Sequence, residues 1–188
     1  MARSLGSLVL VVGPSGVGKD TLIGGAKQAL ENDRRFTFVR RVVTRPAEFE
    51  VEEHDTMEPQ AFARAEAMGR FCLSWDAHNL RYGLPISVET DLALGKVVVA
   101  NVSRHVVSEA RRRYPGCAVV LITAEISRRA ERLTNRGRES GDQITARLAR
   151  ESAPVPTGIN PIIIDNSGGI AIGVTAFVMA LRTIAAQE

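Results

Sequence analysis

The chain has 188 residues, of which 45% are hydrophobic and 24% charged, and its formal net charge is only +3. This size and composition are typical of one soluble globular domain with a sizeable core, so we predict a single domain over residues 1–188. An aromatic content of 5% leaves few platforms on which bases could stack, and nucleic-acid binding is therefore disfavoured.

The cysteines and the hydropathy of the sequence indicate the cellular compartment in which the protein is expected. Cys72 and Cys117 stand far apart in the sequence and outside any metal-ligand spacing, which indicates a reducing interior rather than a disulfide framework. No apolar run approaches the length of a membrane-spanning helix, and residues 1–4 lead directly into an apolar run without room for a presequence. We therefore expect a cytoplasmic protein with no membrane partner.

Short apolar runs alternate with amphipathic segments along the chain. Continuous apolar strands between helices indicate a parallel sheet covered on both faces. The predicted fold class is α/β, with three layers and about five parallel strands. Strands are predicted at 8–12, 36–39, 96–100, 118–123 and 161–165, and helices at 21–30, 87–94, 103–114, 126–135, 144–151 and 170–186.

A glycine-rich turn with the pattern G-x-x-x-x-G-K connects the first strand to the first helix. Its glycines let backbone N–H groups converge on an anion, and its lysine can reach the outer phosphates of a nucleoside triphosphate. We therefore predict a P-loop NTPase fold. The residues expected to bind the triphosphate are Gly13, Pro14, Ser15, Gly16, Val17, Gly18, Lys19, Asp20 and Thr21.

The residue after Lys19 departs from this pattern. A Ser or Thr there would place a hydroxyl on Mg²⁺, and this chain has Asp20. The strand at 96–100 is followed by Asn101, so the carboxylate that often ends this strand is also missing. We hypothesise that Asp20 supplies the oxygen ligand, directly or through a metal-bound water. The alternative is that Asp20 only stabilises the first helical turn electrostatically.

Two polar stretches interrupt the alternation of strands and helices, at about 44–85 and about 135–142. Long irregular insertions in a compact domain tend to be substrate-binding or lid elements. In the first stretch, Arg45 either clamps a phosphate with its guanidinium or lies in a solvated loop. Residues 69–85 predict a short antiparallel pair of strands, with Phe71 and Trp75 in its core.

The second stretch lies among many arginines. Arg128, Arg132 and Arg136 share an i, i+4 row, and like charges on one stripe are unfavourable unless an anion lies opposite. Arg136 and Arg138 therefore predict a lid that closes over transferring phosphates. Arg132 and Arg147 are further candidates for contacting the transferring group, beside Lys19 in the loop.

Together these features resemble the guanylate-kinase-like branch of the P-loop nucleoside monophosphate kinases, from about residue 7 to the C-terminus. The similar elements are G-P-S-G-V-G-K in the loop, T-R-P at 44–46, Trp75 with Tyr82-Gly83, and R-L-T-N-R-G-R-E at 132–139. The loop is common to many families, whereas the lid pattern and the position of T-R are more particular.

The departures from that branch concern the acceptor. Guanylate kinases have a glutamate that reads the guanine edge, and the matching position here is Ser74. Leu84-Pro85 stands where Thr-Ser follows Y-G, and the second arginine after T-R is missing. A site built to hydrogen-bond a base loses most of its discrimination without those partners.

The combination of G-K-D-T, T-R-P-A followed by E-x-H-D, and S-W-x-A-H with Y-G-L-P is similar to the ribose 1,5-bisphosphate phosphokinase family. The resemblance implies that ATP, with Mg²⁺, phosphorylates this sugar bisphosphate to 5-phosphoribosyl 1-diphosphate (PRPP) in phosphonate catabolism. The acceptor would then be held at its phosphates by Arg45, Tyr82 and Arg81, and at its hydroxyls by His54, Asp55 and His78.

Two other functions stay open at this stage. A guanylate kinase or another nucleoside monophosphate kinase is favoured by Tyr82-Gly83 and disfavoured by Ser74. A non-catalytic binding module is disfavoured because Lys19, Arg136 and Arg138 are all present. A homodimer is compatible with the sequence, as are both ATP and GTP as donors.

Overall fold

The computed structural model describes residues 6–44, 54–135, 141, 145, 148 and 160–187. Several predicted site residues lie outside this part of the chain, as does most of the helix predicted at 144–151. Among the described residues, no helix combines the length and the apolar character needed to cross a bilayer. The predicted site residues outside the described part are Arg45, Arg136, Arg138 and Arg147.

The described elements confirm an α/β chain with the predicted alternation. A 3₁₀ turn, Arg104–Val106, leads into the fourth α-helix. In chain order the elements are β1 (Leu8–Val12), α1 (Lys19–Ala29), β2 (Phe36–Val39), β3 (Arg41–Val43), β4 (His54–Thr56), α2 (Pro59–Ala67), β5 (Phe71–Ala77), β6 (Leu80–Pro85), α3 (Ser87–Ala93), β7 (Val97–Asn101), α4 (Val107–Arg113), β8 (Ala118–Thr123), α5 (Ile126–Asn135), β9 (Ile162–Asp165) and α6 (Ile170–Ala185).

A five-stranded sheet, in the order β2-β7-β1-β8-β9, forms the centre of the structure. All of its neighbouring strands run parallel, as predicted. β1 is central and all five of its residues are buried, because helices cover both faces. The carboxyl ends of β1 and β7 therefore meet at one edge of the sheet, where the glycine-rich turn begins.

Successive residues of β1 point into two separate cores, as the two-residue period of a strand requires. Val9 and Val11 pack in the core that contains Leu22 of α1 and Phe177 of α6. Residues 8, 10 and 12 pack in the other core, with Val88 of α3 and residues of the 3₁₀ turn and α4. The predicted three-layer arrangement is confirmed.

A second, mixed sheet lies in the order β4-β3-β6-β5 and is called the small sheet below. The antiparallel pair predicted within 69–85 is confirmed as β5 with β6. The prediction that 44–85 is otherwise irregular was wrong, because 54–56 and 59–67 form β4 and α2. Both elements lack a readable pattern: β4 has three residues, and α2 has one fully buried side chain, Phe62.

The small sheet has an outer face covered in part by α2, where the rings of Phe62 and Phe71 stack at 4.5 Å. Its inner face packs toward the main sheet, since Leu73 and Leu84 belong to the same core as Leu8. Paired residues of neighbouring strands share a face, and faces alternate along each strand. The inner-face residues are Arg41, Val43, His54, Thr56, Leu73, Trp75, Tyr82 and Leu84.

Adjacent glycines of α1 test how tightly this helix packs on α6. A Cβ at Gly25 would lie 2.5 Å from Cγ2 of Val174, whereas a Cβ at Gly24 would meet no atom within 4 Å. We predict that Gly25→Ala lowers the free energy of unfolding by about 1–3 kcal/mol through overpacking. Gly24→Ala should raise it by about 0.5–1 kcal/mol, since alanine is the better helix former.

Thermal denaturation of the two variants measures this contrast, with shifts of about 2–4 °C per kcal/mol in a chain of this size. Equal melting temperatures for the two variants would contradict the close packing of α1 against α6.

Candidate active site

The glycine-rich turn after β1 adopts a backbone that requires glycine. Gly16 and Gly18 have φ angles of 77° and 87°, in the left-handed region. A Cβ at Gly16 would lie 2.9 Å from the carbonyl oxygen of Arg129, and one at Gly18 would lie 2.6 Å from Nδ2 of Asn166. The turn is therefore closely surrounded by α5 and by the segment after β9.

The first turn of α1 is arranged to meet an anion. Gly18 is the N-cap residue and no side chain caps the helix, so its first backbone N–H groups have no side-chain acceptor. Lys19 Nζ donates hydrogen bonds to the carbonyl oxygens of Gly13 at 2.7 Å and Pro14 at 3.1 Å. These bonds fix the ammonium group over the loop. Thr21 is exposed in the same helical turn.

Three side chains hold the loop from outside by binding its carbonyl groups. Arg129 Nε donates to the Ser15 carbonyl at 3.0 Å. The Val17 carbonyl accepts from Asn166 Nδ2 at 2.7 Å and from Arg132 Nη1 at 3.2 Å. Arg129 and Asn166 are only 6% and 3% exposed. These hydrogen bonds hold the backbone of the loop in its observed shape.

Arg128 and Arg132, which were predicted to share one row on α5, have different environments in the structure. Arg128 is exposed and pairs with Glu131 at 3.2 Å, whereas Arg132 turns inward and also donates to the Asn166 carbonyl at 2.8 Å. Sequence reasoning missed Arg129 and Asn166. The only signals for them in the sequence are the place of Arg129 beside Arg128 and the place of Asn166 directly after the last strand.

Asp20 is connected to the end of β7. Asn101 Nδ2 donates to Asp20 Oδ1 at 2.8 Å, while Asn101 Oδ1 is buried and has no partner among the described residues. Carboxylate and amide oxygens suit Mg²⁺, which usually takes one or two carboxylates together with substrate phosphates and water. The described residues include no cluster of three or more His, Cys, Asp or Glu for a metal. The side-chain oxygens of Asp20 and Asn101 are of the kind that Mg²⁺ prefers.

The inner face of the small sheet presents an aromatic stack near this pair. The rings of Trp75 and Tyr82 stack at 5.5 Å with an interplanar angle of 9°, and Arg41 Cζ lies 5.4 Å from the Tyr82 ring centroid. Arg41 Nη1 donates to the carbonyl oxygen of Asn101 at 3.4 Å. His54 is paired with Arg41 in register, and its buried Nδ1 has no partner among the described residues.

Three predicted acceptor residues do not lie on this inner face. Arg81 lies on the outer face, where Nη2 donates to both carboxylate oxygens of Glu66 at 2.9 and 2.7 Å. Asp55 also lies on the outer face and pairs with Arg40 at 3.0 Å. His78 is exposed in the turn between β5 and β6, with a φ of 53°. Their predicted roles find no support in this geometry.

Ser74, at the position matched to the guanine-reading glutamate, also lies on the outer face. Its hydroxyl donates to Glu66 Oε1 at 2.6 Å. This hydrogen bond and the Arg81 guanidinium hold the pKa of the Glu66 carboxyl below its usual range. Ser74 is therefore occupied in supporting α2.

Known proteins give the same fold. A guanylate kinase from Anaplasma phagocytophilum superposes with a TM-score of 0.67 and 13% identity, covering 97% of this chain and 88% of that one. A gluconokinase from Sinorhizobium meliloti 1021 gives 0.53 and 20%, covering 98% and 96%. At these identities the likeness concerns the fold alone. No protein-family model matches the chain.

Sequence relatives are much closer. Ribose 1,5-bisphosphate phosphokinase PhnN of Brucella abortus biovar 1 (strain 9-941) is 48% identical over 182 residues, which cover 97% of this chain and 95% of that protein. A bifunctional ribose 1,5-bisphosphokinase-thymidine phosphorylase of Cupriavidus necator is 48% identical over 181 residues, covering 96% of this chain and 30% of that larger protein. The chain therefore belongs to the ribose 1,5-bisphosphate phosphokinase family.

Proposed function

We propose that this protein transfers the γ-phosphoryl group of ATP to the 1-phosphate of ribose 1,5-bisphosphate. The bond from the γ-phosphorus to its bridging oxygen breaks, a 1-phosphate oxygen bonds to that phosphorus, and ADP and PRPP result. The observation that carries the proposal is the 48% identity to PhnN over nearly the full chain. The intact glycine-rich loop with Lys19 supports it. The reaction would serve PRPP biosynthesis in phosphonate catabolism.

The donor is assigned to the loop and the first turn of α1. The backbone N–H groups from Ser15 to Lys19 would hold the β-phosphate, and Lys19 would contact the β- and γ-phosphates. Because Arg132 is bonded to the carbonyls of Val17 and Asn166, its supported role is to hold the loop around the donor. Contact of Arg136 and Arg147 with the transferring group stays a prediction on residues outside the described part.

The acceptor is already anionic at neutral pH, so the transfer needs no general base. Catalysis then consists of positioning two anions and neutralising the charge of the transferring group. Tyr82 and His54 are the predicted acceptor residues on the inner face of the small sheet, the face that also carries Arg41. Arg45 stays a predicted phosphate clamp outside the described residues.

A magnesium ion at Asp20 completes the proposal. When bound, Mg²⁺ would neutralise charge on the donor phosphates. Asp20 would contribute its carboxylate, directly or through water. Asn101 would orient that carboxylate with its amide N–H.

The test of the acceptor is ADP release with ribose 1,5-bisphosphate and with GMP, together with detection of PRPP as the product. We expect turnover and PRPP with the sugar bisphosphate and little ADP with GMP. Turnover with GMP alone would instead establish a nucleoside monophosphate kinase. Absence of turnover with either acceptor would favour a binding module and overturn the proposal.

Asp20→Ala tests the metal assignment. If Asp20 is a ligand, Mg²⁺ should strengthen ATP binding roughly 10-fold less in this variant than in the parent protein, as is typical when a metal site loses one supporting group. Dissociation constants of ATP with and without Mg²⁺ measure this without turnover. Asp20→Ser should retain part of the effect, because a hydroxyl can replace the carboxylate oxygen. An unchanged metal requirement in Asp20→Ala would end the hypothesis.

Arg129→Ala tests the support of the loop. The variant removes the Arg129 donor from the half-buried Ser15 carbonyl, so we expect the free energy of unfolding to fall by about 1–3 kcal/mol. The KM for ATP should rise because the loop loses its fixed shape. The matched control is Arg128→Ala, whose exposed ion pair is worth under about 1 kcal/mol. Similar denaturation curves and KM values for both variants would refute this role.

A further inference from the structure

Arg41 occupies a position that the sequence did not single out. We propose that its guanidinium binds the phosphate of the acceptor that does not react, at C5 of the ribose, and thereby selects a sugar bisphosphate over a monophosphate. This inference rests on the proposed function, because it assigns one end of the proposed acceptor to a particular side chain.

Arg41 lies where the small sheet meets the end of β7. Its Nη1 donates to the Asn101 carbonyl at 3.4 Å, and the Asn101 side chain donates to Asp20 at 2.8 Å. Asp20 follows Lys19 directly in the first turn of α1. Two hydrogen bonds made by Asn101 thus connect Arg41 to the proposed donor site. Arg41 itself belongs to β3, on the proposed acceptor side.

The guanidinium is held in a fixed orientation. It lies over the ring of Tyr82, 5.4 Å from the centroid, and Trp75 stacks on the same ring from the next strand. An arginine stacked on an aromatic face loses little further freedom when it binds an anion, and its planar fork matches two phosphate oxygens. Arg41 is therefore suited to recognising a phosphate at a defined distance from the loop.

Two buried polar groups of β4 share the inner face of the small sheet with Arg41. His54 Nδ1 and Thr56 Oγ1 are buried and have no hydrogen-bond partner among the described residues. Both belong to β4, which runs parallel to β3, and His54 is paired with Arg41 in register. Buried polar atoms without partners are costly, so their presence next to a cation indicates a ligand with oxygen atoms.

Arg41 is assigned to the non-reacting phosphate because the other positive groups of the proposed site lie near the reacting one. The reacting phosphate must approach the γ-phosphate, where the loop, Lys19 and a bound Mg²⁺ would neutralise charge. The second phosphate needs a cation outside the loop. Among the described arginines of the small sheet, Arg40 and Arg81 lie on the outer face and pair with Asp55 and Glu66. Arg41 is the one on the inner face.

Calorimetric titrations with two sugar monophosphates measure the binding of each phosphate of the acceptor separately. Ribose 5-phosphate carries the C5 phosphate alone, and ribose 1-phosphate carries the C1 phosphate alone. We expect Arg41→Ala to weaken ribose 5-phosphate binding by about 10-fold or more, as loss of a charge-assisted hydrogen bond implies, and to leave ribose 1-phosphate within about twofold. The kcat/KM for ribose 1,5-bisphosphate should fall at least as far. Arg41→Lys should give a smaller loss in the same pattern.

The control is Arg64→Ala, an exposed arginine on α2, which should change neither dissociation constant. Equal weakening of both monophosphates by Arg41→Ala would make Arg41 a structural residue, and weakening of ribose 1-phosphate alone would assign it to the reacting phosphate. Either result overturns the inference. The proposed function fails separately, if the parent protein forms no PRPP from ribose 1,5-bisphosphate. The lysine variant gives the same comparison if the alanine variant does not fold.

Discussion

The hydrogen bond from Asn101 to Asp20 connects the parts of this molecule that a phosphotransferase must bring together. It joins the end of β7 to the first turn of α1 over a sequence separation of 81 residues. The Asn101 carbonyl accepts from Arg41 on the small sheet. The glycine-rich loop, the central sheet and the small sheet therefore meet at one residue.

The loop itself depends on side chains that come from distant parts of the chain. Asn166 and Arg129 reach loop carbonyls across 149 and 114 residues. Because these groups are buried, their hydrogen bonds cannot be replaced by water without opening the structure. A loop held in this way presents its N–H groups to phosphate with little reorganisation, which is the condition under which fixed dipoles stabilise a transferring group most effectively.

The sequence predicted the features that are local. Long apolar strands and the glycine pattern are read within a few residues, and β1, β2, β8 and α5 have the bounds that the pattern indicated. It could not predict β3, β4 or the contacts of Asn101, since these depend on pairing between remote segments. Arg128 and Arg129 illustrate the limit: neighbours on α5 differ by about 100° around the axis, and only the tertiary fold decides which one is buried.

The presence of Asp20 in place of the usual Ser or Thr has an electrostatic consequence. A carboxylate at position 20 places a negative charge beside the phosphates, where the usual hydroxyl would be neutral. Unless a cation intervenes, this charge opposes the binding of both donor and acceptor. If Asp20 holds Mg²⁺, the charge of the metal would offset that repulsion. A fixed cation on the small sheet, as proposed for Arg41, would then recognise the second phosphate of the acceptor.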